Sequence, residues 1–227
     1  MIVCLMPRII ASLPSISLYR MRNPVLLLHG IDDTAELFST MTPFLQQWGW
    51  SVHSLDLCPN NGDAGLEELA QQVADYVAQA FPPDQPFDLV GFSMGGIVGR
   101  YYVQRLGGLD RIHRFVTISS PHNGTWAAYV RPNKGGSQMR INSPFLTDLN
   151  RDVHRLEQIN FTSIWTPLDL IILPATSSRL PVGREVQLWV PAHSWMVRSL
   201  QSLTTVAMVL SEPLRKPQLT NSTAGVV

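Results

Sequence analysis

A chain of 227 residues with 45% apolar and 15% charged side chains is long enough for one large core and too apolar for intrinsic disorder. Its seventeen basic and seventeen acidic side chains cancel, which excludes the strongly basic balance of a nucleic-acid-binding protein. The cancellation is uneven: residues 1–92 hold ten Asp/Glu against three Lys/Arg, a net of −7, and residues 93–227 carry the compensating +7.

Residues 1–23 read as a weakly structured leader. The opening Met-Ile-Val-Cys-Leu-Met lacks a charged n-region, and Pro7 and Arg8 interrupt its apolar run, so the expected compartment is the cytoplasm. No apolar run reaches the ~18 residues that a membrane span needs. Cys4 and Cys58 belong to no Cys-x-x-Cys or Cys/His cluster, so neither a disulfide framework nor a metal site is expected.

From Pro24 onward, short β-branched or Leu-rich runs alternate with runs of helical period, the pattern of a parallel sheet with crossover helices. Six strands are expected, at 25–29, 51–57, 87–92, 115–119, 161–166 and 185–190. Asp33 and Glu36 form an Asp-x-x-Glu cap ahead of the stripe Leu37, Met41, Phe44, Leu45 and Trp48, with a kink or restart at Pro43. A second helix, 64–80, buries Leu66, Leu69, Val73 and Val77 and carries Glu67 and Glu68 in its first turn, where the helix dipole favours negative charge. A third covers 95–106 and ends at Gly107-Gly108. The stretch 126–160 is too long for a plain loop and contains a short helix, with Ser143 as N-cap and Pro144 at the first position. A last helix starts near His193 and carries Met196, Val197, Leu200, Leu203 and Ala207.

The chemistry is concentrated at Gly91-Phe92-Ser93-Met94-Gly95, a G-x-S-x-G between a strand and a helix, which is the context of a nucleophile elbow. Gly91 and Gly95 leave room for the sharp turn that lifts the Ser93 hydroxyl above the sheet. A serine needs a base and a carboxylate that orients it, in the chain order Ser, acid, His. Beyond the elbow's helix and the following strand, and leaving aside His122 on the turn itself, only His154 and His193 remain; His154 falls inside the 126–160 insertion, whereas His193 follows the last strand. Asp169 stands alone in an apolar run after the penultimate strand, and a buried carboxylate there needs a hydrogen-bonding partner. Asp148 and Asp152 are rivals that read as solvated helix positions. The oxyanion donors fall to the backbone N–H of Met94, after the nucleophile, and of Ile31, in the turn after the first strand. His29, beside Gly30, reads as a residue that holds this turn.

Leu28-His29-Gly30-Ile31, Gly91 to Gly96, Ser119-Ser120-Pro121-His122-Asn123-Gly124-Thr125, the Trp165 to Asp169 segment and His193 resemble the α/β-hydrolase-fold lipases and esterases, among them small bacterial triacylglycerol lipases and GPI inositol-deacylase-like lipases. The resemblance covers about residues 24–210. It implies a minimal α/β-hydrolase fold of about six mostly parallel strands, with helices on both faces, a small cap over about 126–160 and a tail at 211–227. It also implies that His122 is structural or lines the cleft. Phe92 stands where many of these lipases have His, a change expected to be neutral for the triad. The chain is too short for the first two strands of larger members.

The resulting expectation is a serine hydrolase of carboxylic esters, of lipid or acyl type, with Ser93 as nucleophile, His193 as base, Asp169 as its orienting acid, and no cofactor. An acyltransferase or thioesterase on the same triad and a silent binding protein of this fold are the alternatives. The expected partners are a small ester or lipid substrate and, transiently, a lipid surface; no nucleic acid is expected. The acidic helix 64–80 is expected to meet the helix carrying Arg100 and Arg105. The surplus of Arg131, Lys134, Arg140, Arg151 and Arg155 over Asp148, Asp152 and Glu157 makes the cap mildly basic, as an anionic lipid surface would require.

Overall fold

All six expected strands form in the computed structural model, which describes residues 22–214: β1 (Val25–Leu28), β2 (Val52–Leu55), β3 (Phe87–Phe92), β4 (Ile112–Ile118), β5 (Asn160–Trp165) and β6 (Arg184–Gln187). They make one sheet of order β2-β1-β3-β4-β5-β6 in which every pairing is parallel. Six α-helices accompany them: α1 (Met41–Gln47), α2 (Leu66–Ala80), α3 (Met94–Arg105), α4 (Lys134–Gln138), α5 (Pro144–Arg151) and α6 (Leu200–Ser211). None of the described helices is long and apolar enough to cross a membrane.

The continuous Val-Leu-Leu-Leu of β1 shows why the strands read as unbroken apolar runs. Successive side chains leave a strand on opposite faces, and both faces here are covered. Val25 and Leu27 pack with Met41, Leu45, Val206 and Leu210 of α1 and α6. Leu26 and Leu28 pack with Leu66, Leu69, Val73, Ile97 and Val98 of α2 and α3. Chain order reverses at β1, which lies between β2 and β3. In parallel sheets such a switch point opens a crevice at the carboxyl ends of the strands.

The restart expected at Pro43 is present: a 3-10 turn, Ala35–Phe38, is followed by α1, with Pro43 in its first turn, where a missing N–H costs nothing. Two local expectations are corrected. The cap of the 3-10 turn is not Asp33: Thr34 occupies the N-cap position without a side-chain bond, and the Ala35 N–H donates to Asp56 Oδ1 at 2.6 Å. The last helix starts at Leu200, where Ser199 Oγ accepts the Ser202 N–H at 3.3 Å; residues His193–Val197 form a separate 3-10 turn.

Between β4 and β5 the chain forms a 3-10 turn (Trp126–Val130), α4, α5 and another 3-10 turn (Val153–Gln158). Ser143 Oγ accepts the Leu146 N–H at 3.1 Å with Pro144 next to it, as the sequence indicates.

α2 packs against α3, the helix carrying Arg100 and Arg105, as expected, but the charges of the two halves meet through other residues. Glu67 and Glu68 of α2 pair with Lys134, Asp32 with Arg131, and Asp88 with Arg114 at 3.1 Å. Arg105 instead binds Asp148 and Asp152, at 3.0 and 2.6 Å, so these two acids are ion-paired rather than merely solvated. Arg100 is fully buried and donates to the Leu149 carbonyl, Asn150 and Gln104. Arg151 and Arg155 pair with Asp148 and Asp152, and Arg140 lies over the Tyr129 ring. The basic side chains of the insertion are therefore largely engaged within the protein, which removes the anionic-surface argument built on their surplus. The leader assigned to residues 1–23 lies outside the described residues up to residue 21, as does the tail from residue 215.

Candidate active site

β3 runs straight into α3, and Ser93 is the hinge between them. Its φ of 52° and ψ of −121° place a residue with a side chain where glycine is usually required. Such backbone costs ~1–3 kcal/mol and persists only where the surroundings impose it. They do so here: the Ser93 N–H donates to the Ile118 carbonyl at 2.9 Å, and the Gly96 N–H to the Ser93 carbonyl at 3.1 Å. A β-carbon at Gly91 would lie 2.6 Å from the Gly96 α-carbon, and one at Gly95 would collide with the carbonyls of Leu28 and His29. The turn is closed to anything but glycine at both flanks.

Met94 opens α3, so its N–H is one of the four that a helix leaves without an intrahelical acceptor. Ile31 sits in the turn after β1. His29 holds that turn: it is fully buried, its Nε2 accepts the Leu57 N–H at 2.9 Å, and its Nδ1 therefore donates to the Gly30 carbonyl at 2.8 Å.

Asp169 and His193 are brought together from loops after β5 and β6. Nδ1 of His193 lies 2.7 Å from Asp169 Oδ2, and the Asp169 side chain is only 2% exposed. The other oxygen, Oδ1, accepts the N–H groups of Ile171 and Ile172, both at 2.9 Å. Burial pushes this carboxyl up, but the hydrogen bond and charge of His193 and the N–H groups of Ile172 and Ile171 outweigh it and hold the carboxyl below its ordinary value. With its Nδ1 proton directed at a carboxylate, the imidazole keeps the lone pair of Nε2 free to act as a base. The Phe92 ring packs against the imidazole, with centroids 4.7 Å apart, so the residue preceding Ser93 helps to seat His193.

The other candidates fall away from this cluster. His154 is exposed on the second 3-10 turn of the insertion. His122 is fully buried between Thr117 Oγ1 (3.0 Å) and Arg100 Nη1 (3.4 Å), and burial followed by the Arg100 charge pushes its pKa well down, which makes it a neutral structural histidine. Asp148 and Asp152 serve Arg105. Among the described residues no group of three His, Cys, Asp or Glu could hold a metal ion.

Two features were not legible beforehand. Asp33, freed from the cap, lies beside Gly30 and Ser93. An apolar surface continues from the Asp169 loop: Leu170, Ile171, Leu173, Trp126, Tyr129 and Trp195 are all exposed. The Trp126 N–H donates to the Leu173 carbonyl at 2.9 Å, and the Trp126 and Tyr129 rings are 5.2 Å apart, so the insertion and the acid's loop form one face.

Comparison with known proteins gives the family and the fold. The sequence profile described as palmitoyl protein thioesterase matches residues 24–168. Palmitoyl-protein thioesterase 3 of Dictyostelium discoideum is 27% identical over 120 residues, covering 48% of this chain and 39% of that protein. The pimeloyl-[acyl-carrier protein] methyl ester esterase of Neisseria meningitidis is 35% identical over 81 residues, 36% of this chain and 31% of that protein. The match thus spans well under half the length of either relative. Among solved structures, Aspergillus fumigatus lipase B superposes with a TM-score of 0.73 at 17% identity, covering 85% of this chain and 53% of the lipase. The mature Bacillus licheniformis lipase BlEst2 gives 0.69 at 14% identity, covering 84% and 93%. These two likenesses establish the α/β-hydrolase fold.

Proposed function

Because the chain belongs to the palmitoyl protein thioesterase family, we propose that it is a serine hydrolase of acyl thioesters and carboxylic esters. The observation that carries this reading is the 2.7 Å hydrogen bond between a buried Asp169 and His193, whose ring packs on Phe92, the residue before Ser93 at the elbow. In this reading Asp169 fixes the imidazole tautomer, and Nε2 of His193 takes the Ser93 proton as Oγ attacks the acyl carbonyl. The N–H groups of Met94 and Ile31 receive the developing oxyanion, each worth ~3–4 kcal/mol of barrier where such a donor has been removed elsewhere. The imidazolium then returns its proton to the departing sulfur or oxygen, and water releases the acyl group from Ser93 by the same steps in reverse.

A thiol ionises near pH ~8.5 and leaves more readily than an alcohol, so one site serves both classes, with less demand on His193 for thioesters. The apolar face of Trp126, Tyr129, Leu170, Ile171 and Leu173 supports a long acyl chain over a short or polar one. The test is a series of thioesters and p-nitrophenyl esters from acetyl to palmitoyl, offered to the purified chain together with a fluorophosphonate probe. Expected are covalent labelling of Ser93 and kcat/KM rising with acyl length in both series. Folded protein that neither labels nor turns over any member would overturn the reading and favour a silent binding role.

A further inference from the structure

Asp33 is a carboxylate without an occupation. A β-carbon placed on Gly30 would lie 3.0 Å from Asp33 Oδ2 and 3.2 Å from Ser93 Cβ, so the carboxyl and the nucleophile flank the same small space. Among the described residues its backbone is bonded, the N–H to Gly30 and the carbonyl to Asn60, while no hydrogen bond or ion pair reaches its carboxyl oxygens. Its neighbour Asp32 is tied to Arg131, and Asp169 accepts three bonds. Burial raises the Asp33 carboxyl above its ordinary value, and the electrostatic effects of His29, His193 and Arg198 oppose this only in part, so it stands within electrostatic reach of the His193 imidazole. A half-buried carboxyl that no hydrogen bond or ion pair of the protein engages, standing beside the nucleophile, is free to pair with a charge on the substrate.

Which part of the substrate follows from the side on which Asp33 lies. It lines a cavity of about 350 Å³ between the 32–40 segment and Arg198, and both Arg198 and His193 act on its carboxyl electrostatically, which puts it on the His193 side. The imidazolium gives its proton to the leaving group, so the leaving group lies on the His193 side of Ser93. Thr34, Ser39 and Thr40 make this cavity polar, in contrast to the apolar face formed with the insertion. Its wall carries Asp33 and Glu36 against Arg198, with Asp32 neutralised by Arg131, and Asp33 is the carboxylate next to the nucleophile.

We propose that Asp33 is a specificity-determining residue that selects esters and thioesters whose leaving group carries a positive charge. The proposal rests on the assignment of Ser93 as nucleophile. The test compares kcat/KM for a choline ester and for its uncharged 3,3-dimethylbutyl isostere with the same acyl chain. Expected is a preference of about tenfold for the choline ester, abolished in Asp33→Asn and kept in Asp33→Glu. Equal rates in the unsubstituted protein, a ratio unchanged in Asp33→Asn, or equal slowing of both esters in that variant would overturn it, the last by showing a merely structural role. Labelling of Ser93 by matched cationic and neutral phosphonothiolates, followed by intact mass, reads the same preference without turnover. Faster cationic labelling that is lost in Asp33→Asn supports the assignment even where no ester is hydrolysed, a result that removes only the hydrolase reading. Equal labelling overturns the Asp33 assignment, and no labelling overturns both.

Discussion

The N–H of Leu57 donates to Nε2 of His29 at 2.9 Å across the ends of β1 and β2, and so decides which imidazole nitrogen carries the proton. The proton on Nδ1 then ties down the Gly30 carbonyl, and the turn that offers the Ile31 N–H is clamped from both sides. His29→Ala leaves the buried Leu57 N–H without its acceptor and is expected to destabilise the protein by ~1–3 kcal/mol. It should also lower kcat for ester hydrolysis more than it changes KM, because in the proposed reaction the Ile31 N–H would lose the position from which it meets the oxyanion. Urea unfolding and steady-state kinetics on the same preparation check both effects.

Ser93→Ala is expected to remove hydrolysis by about five to six orders of magnitude, the scale seen when a triad nucleophile is lost elsewhere. Ser93→Gly should be equally inactive yet more stable than Ser93→Ala by ~1 kcal/mol, since φ of 52° is relaxed only for glycine. Thermal melts of the two variants distinguish this strain from a generic effect of truncation.

Asp169→Asn keeps an oxygen for the Ile171 and Ile172 N–H groups but turns an NH₂ toward His193 Nδ1. The imidazole must then carry its proton on Nε2, the nitrogen needed as base. A fall in kcat of about four orders of magnitude is expected, with a near-native circular dichroism spectrum. Normal turnover would move the orienting role away from Asp169.

Asp88 gives the protein a pH response unrelated to the site. Burial raises its pKa to about 6 against the opposing effects of Arg114 and Asn23. An unfolded aspartate releases its proton near 3.8, so between these values the native state binds more protons, and acidification stabilises the fold. The stability of the unsubstituted protein relative to Asp88→Asn should grow by ~2 kcal/mol as the pH falls from about 7 to about 4. Denaturant titrations at a series of pH values measure this, and a flat difference would count against it.

The strands were legible because a sheet covered on both faces is built from short apolar runs, and the elbow because its two glycines are forced by contact. Asp169 could be found by its isolation among Leu168, Leu170, Ile171 and Ile172. Asp33 could not: Asp-x-x-Glu before an apolar stripe is a genuine local cap signal, and Asp56, which bonds the Ala35 N–H instead, is 21 positions away. The pairing of α2 with Lys134 was hidden for the same reason, because Glu68 and Lys134 are 66 positions apart and meet only once the insertion lies over the helix. Local patterns state what a segment can do alone; which of two competing partners it takes is decided by distant chain.

Synthesis delivers this chain from its amino end, so the half with a surplus of seven negative charges leaves the ribosome before Arg131 and Lys134 exist. Asp32, Glu67 and Glu68 therefore precede in synthesis the cations that neutralise them in the folded protein, and their pairing waits for the insertion.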